Sequence, residues 1–157
     1  MKTRRSTGYL NVDVDVESLR PLEGLAEEIG GAVVVLHVGP ITRGRFMLRM
    51  ESRREAATPD TAARDLCRAI ERLSGRGREL WDAAKCKEFN VGFNLPIGAR
   101  AVEAKLKPET VKRIVALGAT VAFTCYRDGS ERDSAGNGGQ PIRSDINRRS
   151  SAAGSRR

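Results

Sequence analysis

The sequence has few aromatic residues, one histidine and three cysteines, and these shortages limit its chemistry. The histidine, His37, has no second imidazole with which to share a metal ion. The cysteines are too far apart in the chain for a zinc motif, whose ligands come in close pairs. We therefore expect no metal site and no cofactor. We expect His37 to occupy a core or edge position, with a metal ligand or a proton-transfer group as the alternatives.

Long apolar runs are missing as well. No stretch approaches the ~20 apolar residues that a membrane-spanning helix needs. Lys2, Arg4 and Arg5 are not followed by the apolar segment of a signal peptide. An odd number of cysteines without a secretion signal is typical of free, reduced thiols. These features predict a cytoplasmic protein with no membrane partner.

The cysteines differ in their predicted surroundings. Cys67 and Cys125 occupy positions where the apolar pattern predicts burial, so we expect both thiols to be inert. Cys86 lies between Lys85 and Lys87, whose positive charges would lower a thiol pKa. Catalysis by Cys86 would still need a base, and the single histidine lies on a different predicted strand. We therefore expect a structural or incidental role for Cys86.

The chain has 157 residues, enough for one domain with a substantial core. We assign residues 1–127 to a single α+β domain. In residues 128–157 the periodic patterns end, Ser, Gly and Arg are frequent, and Ile142 and Ile146 are the only large apolar residues. Such a segment cannot bury enough surface to offset its ordering entropy, so we predict a disordered basic tail.

The most apolar stretch runs from Ala32 to Val38, between Gly30-Gly31 and Gly39-Pro40. It is rich in β-branched residues and is apolar at both alternating sets of positions. A short run bounded by glycine and proline in this way is typical of a strand that is covered on both faces. We therefore predict an interior strand here, with the rest of the sheet built around it.

Alternating and helical periods predict the other elements. The clearest helix start is Thr58-Pro59-Asp60, where a capping hydroxyl, a proline and a first-turn acid coincide. The predicted fold is α+β and ferredoxin-like: two βαβ-type units joined by a helical segment, in a mixed sheet of about six strands with helices packed on one face. The predicted strands are 8–16, 32–38, 45–52, 88–95, 101–106 and 120–126, and the predicted helices are 19–29, 58–73, 79–85 and 108–117.

Two segments carry a family resemblance. The first, Leu80 to Phe93, reads LWDAAKCKEFNVGF and leads from a helical tryptophan into a strand with alternating aromatics. The second, Leu106 to Val111, reads LKPETV and is followed by Leu117-Gly118-Ala119 and a strand. Across roughly residues 8–126 the chain resembles the bacterial domain-of-unknown-function family 4279. The resemblance implies an α+β fold and a bacterial intracellular setting, and it brings no activity and no site residues.

An acidic pair stands out on the first predicted strand. Asp13 and Asp15 are two residues apart, so their carboxylates project from one face about 7 Å apart. A solvated strand face, a partner-binding acidic strip and a cation or catalytic site all remain open. The outward positions of other predicted strands would enlarge a partner-binding face and hold Arg49, Glu51, Glu88 and Tyr126.

Trp81 is the single tryptophan and lies beside Leu80 and Ala84 on a short predicted helix. Helical spacing favours a core anchor. The alternative is a partly exposed recognition residue, because tryptophan often anchors interfaces. We therefore include Trp81 among the candidate partner-binding residues.

Three parts of the chain could contact phosphates. They are the tail and two glycine-arginine segments, Gly39 to Arg45 and Gly75 to Arg78. Neither segment has the spacing of a phosphate-binding fingerprint, so ordinary turns are the alternative. RNA binding on the sheet would need stacking aromatics, and the predicted outward face has one. The candidate phosphate contacts are Arg43, Arg45, Arg76 and Arg78 in the two segments and Arg148 and Arg149 in the tail.

Together these patterns contain no group of residues with the types and spacing of a catalytic site, and we expect no enzyme activity. They favour a non-enzymatic protein-interaction domain of an accessory or immunity type, with an unidentified protein partner and a homodimer as a further expectation. A net charge of +8 permits non-specific contact with nucleic acid. Weak nucleic-acid binding through the tail and the glycine-arginine segments is therefore the alternative function.

Overall fold

The computed structural model describes residues 8–95 and 101–127 of the chain. Within these ranges it contains a mixed sheet of five strands and four helices, an α+β fold. No helix in this part of the chain is long and apolar enough to cross a bilayer. The predicted tail, with Arg148 and Arg149, lies outside these ranges. In chain order the elements are β1 (Tyr9–Ser18), α1 (Glu23–Ile29), β2 (Val33–Thr42), β3 (Arg45–Ser52), α2 (Pro59–Glu71), α3 (Gly75–Ala83), β4 (Cys86–Leu95), α4 (Pro108–Ala116) and β5 (Thr120–Arg127).

Strand β1 lies at the centre of the sheet, whose order is β2-β3-β1-β4-β5. It pairs antiparallel with β3 and with β4, and β4 pairs parallel with β5. Its side chains alternate as the sequence predicts, and Val12, Val14 and Val16 are almost completely buried. One face of the sheet is therefore dry, and the residues between the valines point to the other face.

The helices cover the dry face. Helix α2 begins where the sequence predicts, with the Thr58 hydroxyl accepting a hydrogen bond from the amide of Thr61. Its apolar stripe, including Leu66, Cys67 and Ile70, is buried in the same core as the valines of β1. The predicted packing of helices on one face is consistent with this single core.

The prediction of an interior strand at residues 32–38 is wrong. Strand β2 is the outermost strand on its side of the sheet, and Leu36, His37 and Val38 are exposed. The register with β3 shifts between Val35 and His37, and the side chains from Leu36 to Val38 are exposed. Only Val33 and Gly39 of β2 are buried, as expected for an edge strand.

Two other predicted elements differ from the structure. Residues 101–107 form no strand, so the described sheet has five strands where about six were predicted. Val102, Ala104 and Leu106, which alternate along the predicted strand, still pack against the core. Helix α3 begins at Gly75, within the glycine-arginine segment that was predicted to separate two helices.

Glu28 of α1 explains the early start of α3. Its carboxylate accepts hydrogen bonds from the amides of Ser74 (2.6 Å) and Gly77 (2.9 Å). These amides belong to the first turn of α3, where no partner within the helix exists for them. The backbone hydrogen bond from Ser74 is the main cause that lowers the pKa of Glu28. A side chain from a neighbouring helix therefore supplies the cap.

The predicted burial also fails at the α4–β5 edge. The helical period of α4 and the alternation of β5 predict that Val111, Val115 and Phe123 are buried, but they are 40%, 68% and 60% exposed. Cys125, predicted to be buried, is exposed as well. Helix α4 instead directs Thr110 and Ile114 into the core. The apolar face of α4 is wider than the surface available to cover it.

Asp60 connects α2 to the start of α4. This buried carboxylate accepts hydrogen bonds from the Lys107 amide (2.8 Å) and the Thr110 hydroxyl (2.7 Å). Burial alone would raise its pKa. The two hydrogen bonds, helped by the charges of Lys107 and Arg64, lower the pKa of Asp60 below its ordinary value.

Replacing Asp60 by alanine should lower the free energy of unfolding by about 2 kcal/mol near neutral pH, because two donors lose their acceptor. The folded pKa lies below the ordinary value of 3.8, so this stabilisation is complete above that pH. It is lost as the pH falls through the folded pKa. Urea unfolding of the wild type and Asp60→Ala at pH 7 and at lower pH measures both effects. Glu109→Ala, an exposed first-turn acid of α4, is the control, and equal losses in the two variants would contradict the assignment.

Candidate functional site

The face of the sheet opposite the helices carries the candidate site. We call it the open face, because no element within residues 8–95 and 101–127 packs over it. Its central side chains are half-buried by their neighbours in the sheet. They are Asn11, Asp13, Asp15 and Glu17 of β1, Arg49 and Glu51 of β3, Glu88 and Asn90 of β4, and Thr124 and Tyr126 of β5.

Two arginines of β3 are neutralised by acids of β1. Arg49 lies opposite Asp15 in the register, and its Nε and Nη2 atoms donate to Oδ1 and Oδ2 at 2.7 Å each. This forked geometry is the strongest arrangement for an arginine–carboxylate pair. Arg45 pairs with Glu17 near the end of the same two strands. Neither guanidinium is free to bind a phosphate without first leaving its carboxylate.

The next pair along these strands joins two acids. Asp13 lies opposite Glu51, and like charges directly across an antiparallel pair are unfavourable. Asn11 donates one hydrogen bond to the Asp13 carboxylate, at 2.9 Å. Burial, followed by the negative charge of Glu51, raises the pKa of Asp13 from 3.8 to about 6, although Arg49 opposes the rise. The open face therefore contains a carboxyl group that ionises near pH 6, well above the range of an ordinary aspartate.

A cleft adjoins this acidic pair. It has a volume of about 960 Å³, and Glu51 and Asn11 both line it. Tyr9 lines it too, and burial together with the charges of Asp13 and Glu51 raises the pKa of Tyr9 to about 12. A side chain that entered the cleft would approach the acidic pair from one end of the sheet. The β3–α2 connection, residues 53–57, supplies the opposite wall.

The structure brings together most of the residues that the sequence placed on a partner-binding face. Glu88 lies opposite Asp15 on β4, so it extends the acidic strip next to the Asp15–Arg49 pair. Tyr126 is 49% exposed at an open-face position of β5. Sequence reasoning missed the participation of Asn11 and Tyr9, since their contacts with the acidic pair depend on the strand register.

Trp81 does not belong to this face, so its assignment there is wrong. Its side chain is completely buried, and its indole nitrogen donates to the carbonyl of Leu117 at 3.1 Å. The ammonium of Lys87 lies 5.7 Å from the ring centre. Trp81 is the core anchor that its helical spacing favoured.

The glycine-arginine segments do not form one basic loop. Arg43 is exposed in the turn between β2 and β3, and Arg45 is paired as described above. Arg76 and Arg78 lie in α3, where Arg78 is 3.8 Å from Asp82. Among the four candidate phosphate contacts in the described residues, Arg45 and Arg78 thus have carboxylate neighbours.

His37 lies on the open-face side of β2, opposite Arg49 in the register. It is exposed, which is the edge position that the sequence allowed. Within residues 8–95 and 101–127, no group of three or more His, Cys, Asp or Glu residues is arranged to hold a metal ion. Asp13 and Asp15 therefore do not belong to a larger ligand cluster in this part of the chain.

The pKa of Cys86 shifts in the direction opposite to the one that the neighbouring lysines indicated. Its pKa is raised, first by burial and then by the negative charges of Glu88, Glu17 and Asp15. The acids of the open face act more strongly on the thiol than the adjacent lysines in the sequence. Cys67 is buried in the core, and burial raises its pKa to about 12.

Comparison of the chain with known protein families, with curated proteins and with solved structures gives no match.

Thiol reactivity should separate the three cysteines. Cys86 and Cys125 are exposed, and Cys67 is buried, so a disulfide reagent should modify two thiols in the native protein and three after unfolding. Cys86 should react slowly for an exposed thiol, because its pKa is raised. Replacing each cysteine in turn by serine will show which thiol gives each kinetic phase of the reaction. Native reaction of Cys67 at a comparable rate would contradict the core placement.

Asp13→Asn should stabilise the protein near neutral pH. Native Asp13 holds its proton more tightly than the unfolded chain, so stability falls as the pH rises from about 4 to 6. The rise in pKa corresponds to about 3 kcal/mol, which solvent screening of this half-buried group reduces to ~1 kcal/mol. The increase in the free energy of unfolding of Asp13→Asn over the wild type should be present at pH 7.5 and vanish near pH 4. Chemical denaturation at the two pH values measures it.

Asp15→Asn is the matched control for this experiment. It removes the same charge from the same strand, but it takes the forked partner from Arg49. We expect it to lower stability at pH 7.5. If both variants changed stability in the same direction, the distinction between the two acids would be wrong.

Proposed function

We propose that the protein is a non-enzymatic protein-interaction domain, and that its open face binds a partner that presents a basic side chain to Asp13 and Glu51. The observation that carries the proposal is the acidic pair itself. It lies at the centre of an uncovered sheet face, beside a cleft, and has no cationic partner of its own among the described residues.

The energetics of Asp13 support this partner chemistry. A carboxylate with a pKa of about 6 raises the free energy of the unbound protein when it is ionised. A lysine or arginine placed between Asp13 and Glu51 would remove that cost, and it would favour ionisation of Asp13. Binding would then release a proton near pH 6. Arg49 cannot fill this role, because Asp15 holds its guanidinium.

A ferredoxin-like arrangement fits this function. The order β2-β3-β1-β4 with antiparallel neighbours supports such a unit, to which α4 and β5 add a further strand. In this arrangement helices cover one face and leave the other for a partner. We further propose an accessory or immunity-type role in a bacterial cytoplasm. The resemblance of Leu80–Phe93 and Leu106–Ala119 to family 4279 supports the bacterial setting and implies no activity.

Nucleic-acid binding is the second candidate, supported by the net charge of +8. The open face itself favours a protein partner. Its acids would repel phosphates, and its arginine Arg49 is already paired. Exposed Arg43 and Arg76 lie outside this face. Weak, salt-sensitive nucleic-acid binding would therefore depend on other parts of the chain.

The decisive experiment is affinity capture from lysate of the native host with wild-type protein and with the double variant Asp13→Asn/Glu51→Gln. We expect a stoichiometric protein partner that the double variant loses. With the purified partner, affinity should increase by up to about 10-fold between pH 5 and pH 7, because Asp13 ionises in that interval. Calorimetry in two buffers of different ionisation enthalpy will measure the accompanying proton release.

Glu27→Gln/Glu109→Gln is the matched control, because it removes the same charge from exposed helical positions. It should retain the partner. Retention by the open-face variant, or loss by both variants, would contradict the proposed surface. Capture that disappears after nuclease treatment would support the second candidate and count against the first.

A further inference from the structure

Strand β5 forms an edge without the usual protection. It pairs with β4 on one side, and no described residue pairs with its other side. From Thr120 to Tyr126 it has no charged residue and no proline, and its register with β4 is continuous. Soluble proteins normally protect such edges with lysine, proline or a bulge. The opposite edge, β2, contains Pro40 and two register shifts.

Exposed apolar side chains occur on β5 and on α4, the helix that precedes it. We call Val111, Val115 and Phe123 the edge patch. The two valines lie one turn apart on α4, and all three side chains are at least 40% exposed. Phe123 stacks on Phe93 with ring centroids 6.4 Å apart, so the core holds it in place. The edge thus offers backbone hydrogen-bond groups and an apolar surface together.

We propose that β5 pairs antiparallel with β5 of a second copy of this chain, which joins the two sheets edge to edge. A register centred on Phe123 matches the strand to itself. It places Val121 opposite Cys125 on the helix side, and it places Ala122 opposite Thr124 on the open-face side. No charged pair is created along the strand, and on the helix side apolar residues lie opposite apolar residues.

A second copy fits the edge better than the segment that follows it. Residues 128–157 contain Ile142 and Ile146 as their only large apolar residues and are rich in Gly, Ser and Asn, which are poor strand formers. The edge from Thr120 to Tyr126 also has no charged side chain that could pair with a charged strand of another protein. Two chains of net charge +8 repel each other at long range, so the dimer should strengthen as salt is added.

This dimer is independent of the proposed function, because it uses the edge of the sheet and leaves Asp13 and Glu51 uncovered. Failure of either proposal therefore leaves the other standing. The joined sheets would present two copies of the open face side by side. A partner with two basic sites could then bind both.

Sedimentation equilibrium tests the dimer directly. A small interface of this kind should have a Kd of about 1–100 μM, and the average mass should rise from monomer to dimer across that range. Phe123→Lys and Val115→Lys should each raise the Kd at least 10-fold. Leu36→Lys, at an exposed position on the other edge, should leave it unchanged. Circular dichroism checks that each variant folds. If Phe123→Lys does not fold, the effect of Val115→Lys on the Kd tests the proposed interface.

Cross-linking tests the register. In a Cys86→Ser background, Val121→Cys places its thiol opposite Cys125 of the second copy, and mild oxidation should give a covalent dimer. Adding Cys125→Ser should abolish that dimer. A monomer at ~500 μM would overturn the proposal, since the edge would then be too weak to associate. A dimer that Leu36→Lys disrupts, or that the Phe123 and Val115 variants retain, would also overturn it.

Discussion

The structure depends on the alternation of valine and acid along β1. This strand pairs on both sides, and its buried valines and half-buried acids point to opposite faces. A shift of one residue would bring Asp13 and Asp15 into the core and place Val12, Val14 and Val16 on the open face. Burying unpaired carboxylates is prohibitively unfavourable. The register of the three central strands is therefore determined by the core.

That register in turn sets the electrostatics of the open face. The alignment that gives Asp15 an arginine gives Asp13 a glutamate, two residues away on the same strands. One pair stabilises the fold, and the other raises the free energy of the unbound protein. A requirement of the core has thus produced a local cost on the surface. A cationic partner can remove the free-energy cost of placing Asp13 opposite Glu51. The register of β1 is therefore connected to the proposed function.

The two edges of the sheet are built differently. β2 has two register shifts and contains a proline, whereas β5 pairs in continuous register and has no charged residue from Thr120 to Tyr126. Helix α4 is only nine residues long and leaves part of its apolar face exposed beside β5. Unpaired backbone groups and exposed apolar surface therefore coincide at one edge. The molecule has one surface suited to a basic partner and another suited to its own copy.

The sequence by itself determined the local elements. β3 spans Arg45–Ser52 as predicted, and α2 begins at its Thr58 cap, because alternation and capping depend on residues close together in the chain. The tertiary structure alone decided which strands are edges, why Phe123 is exposed and that Asp13 faces Glu51. The physical reason is that a periodic pattern shows which side of an element is apolar. Whether that side is covered, and by which charge it is opposed, depends on neighbours that are distant in the chain.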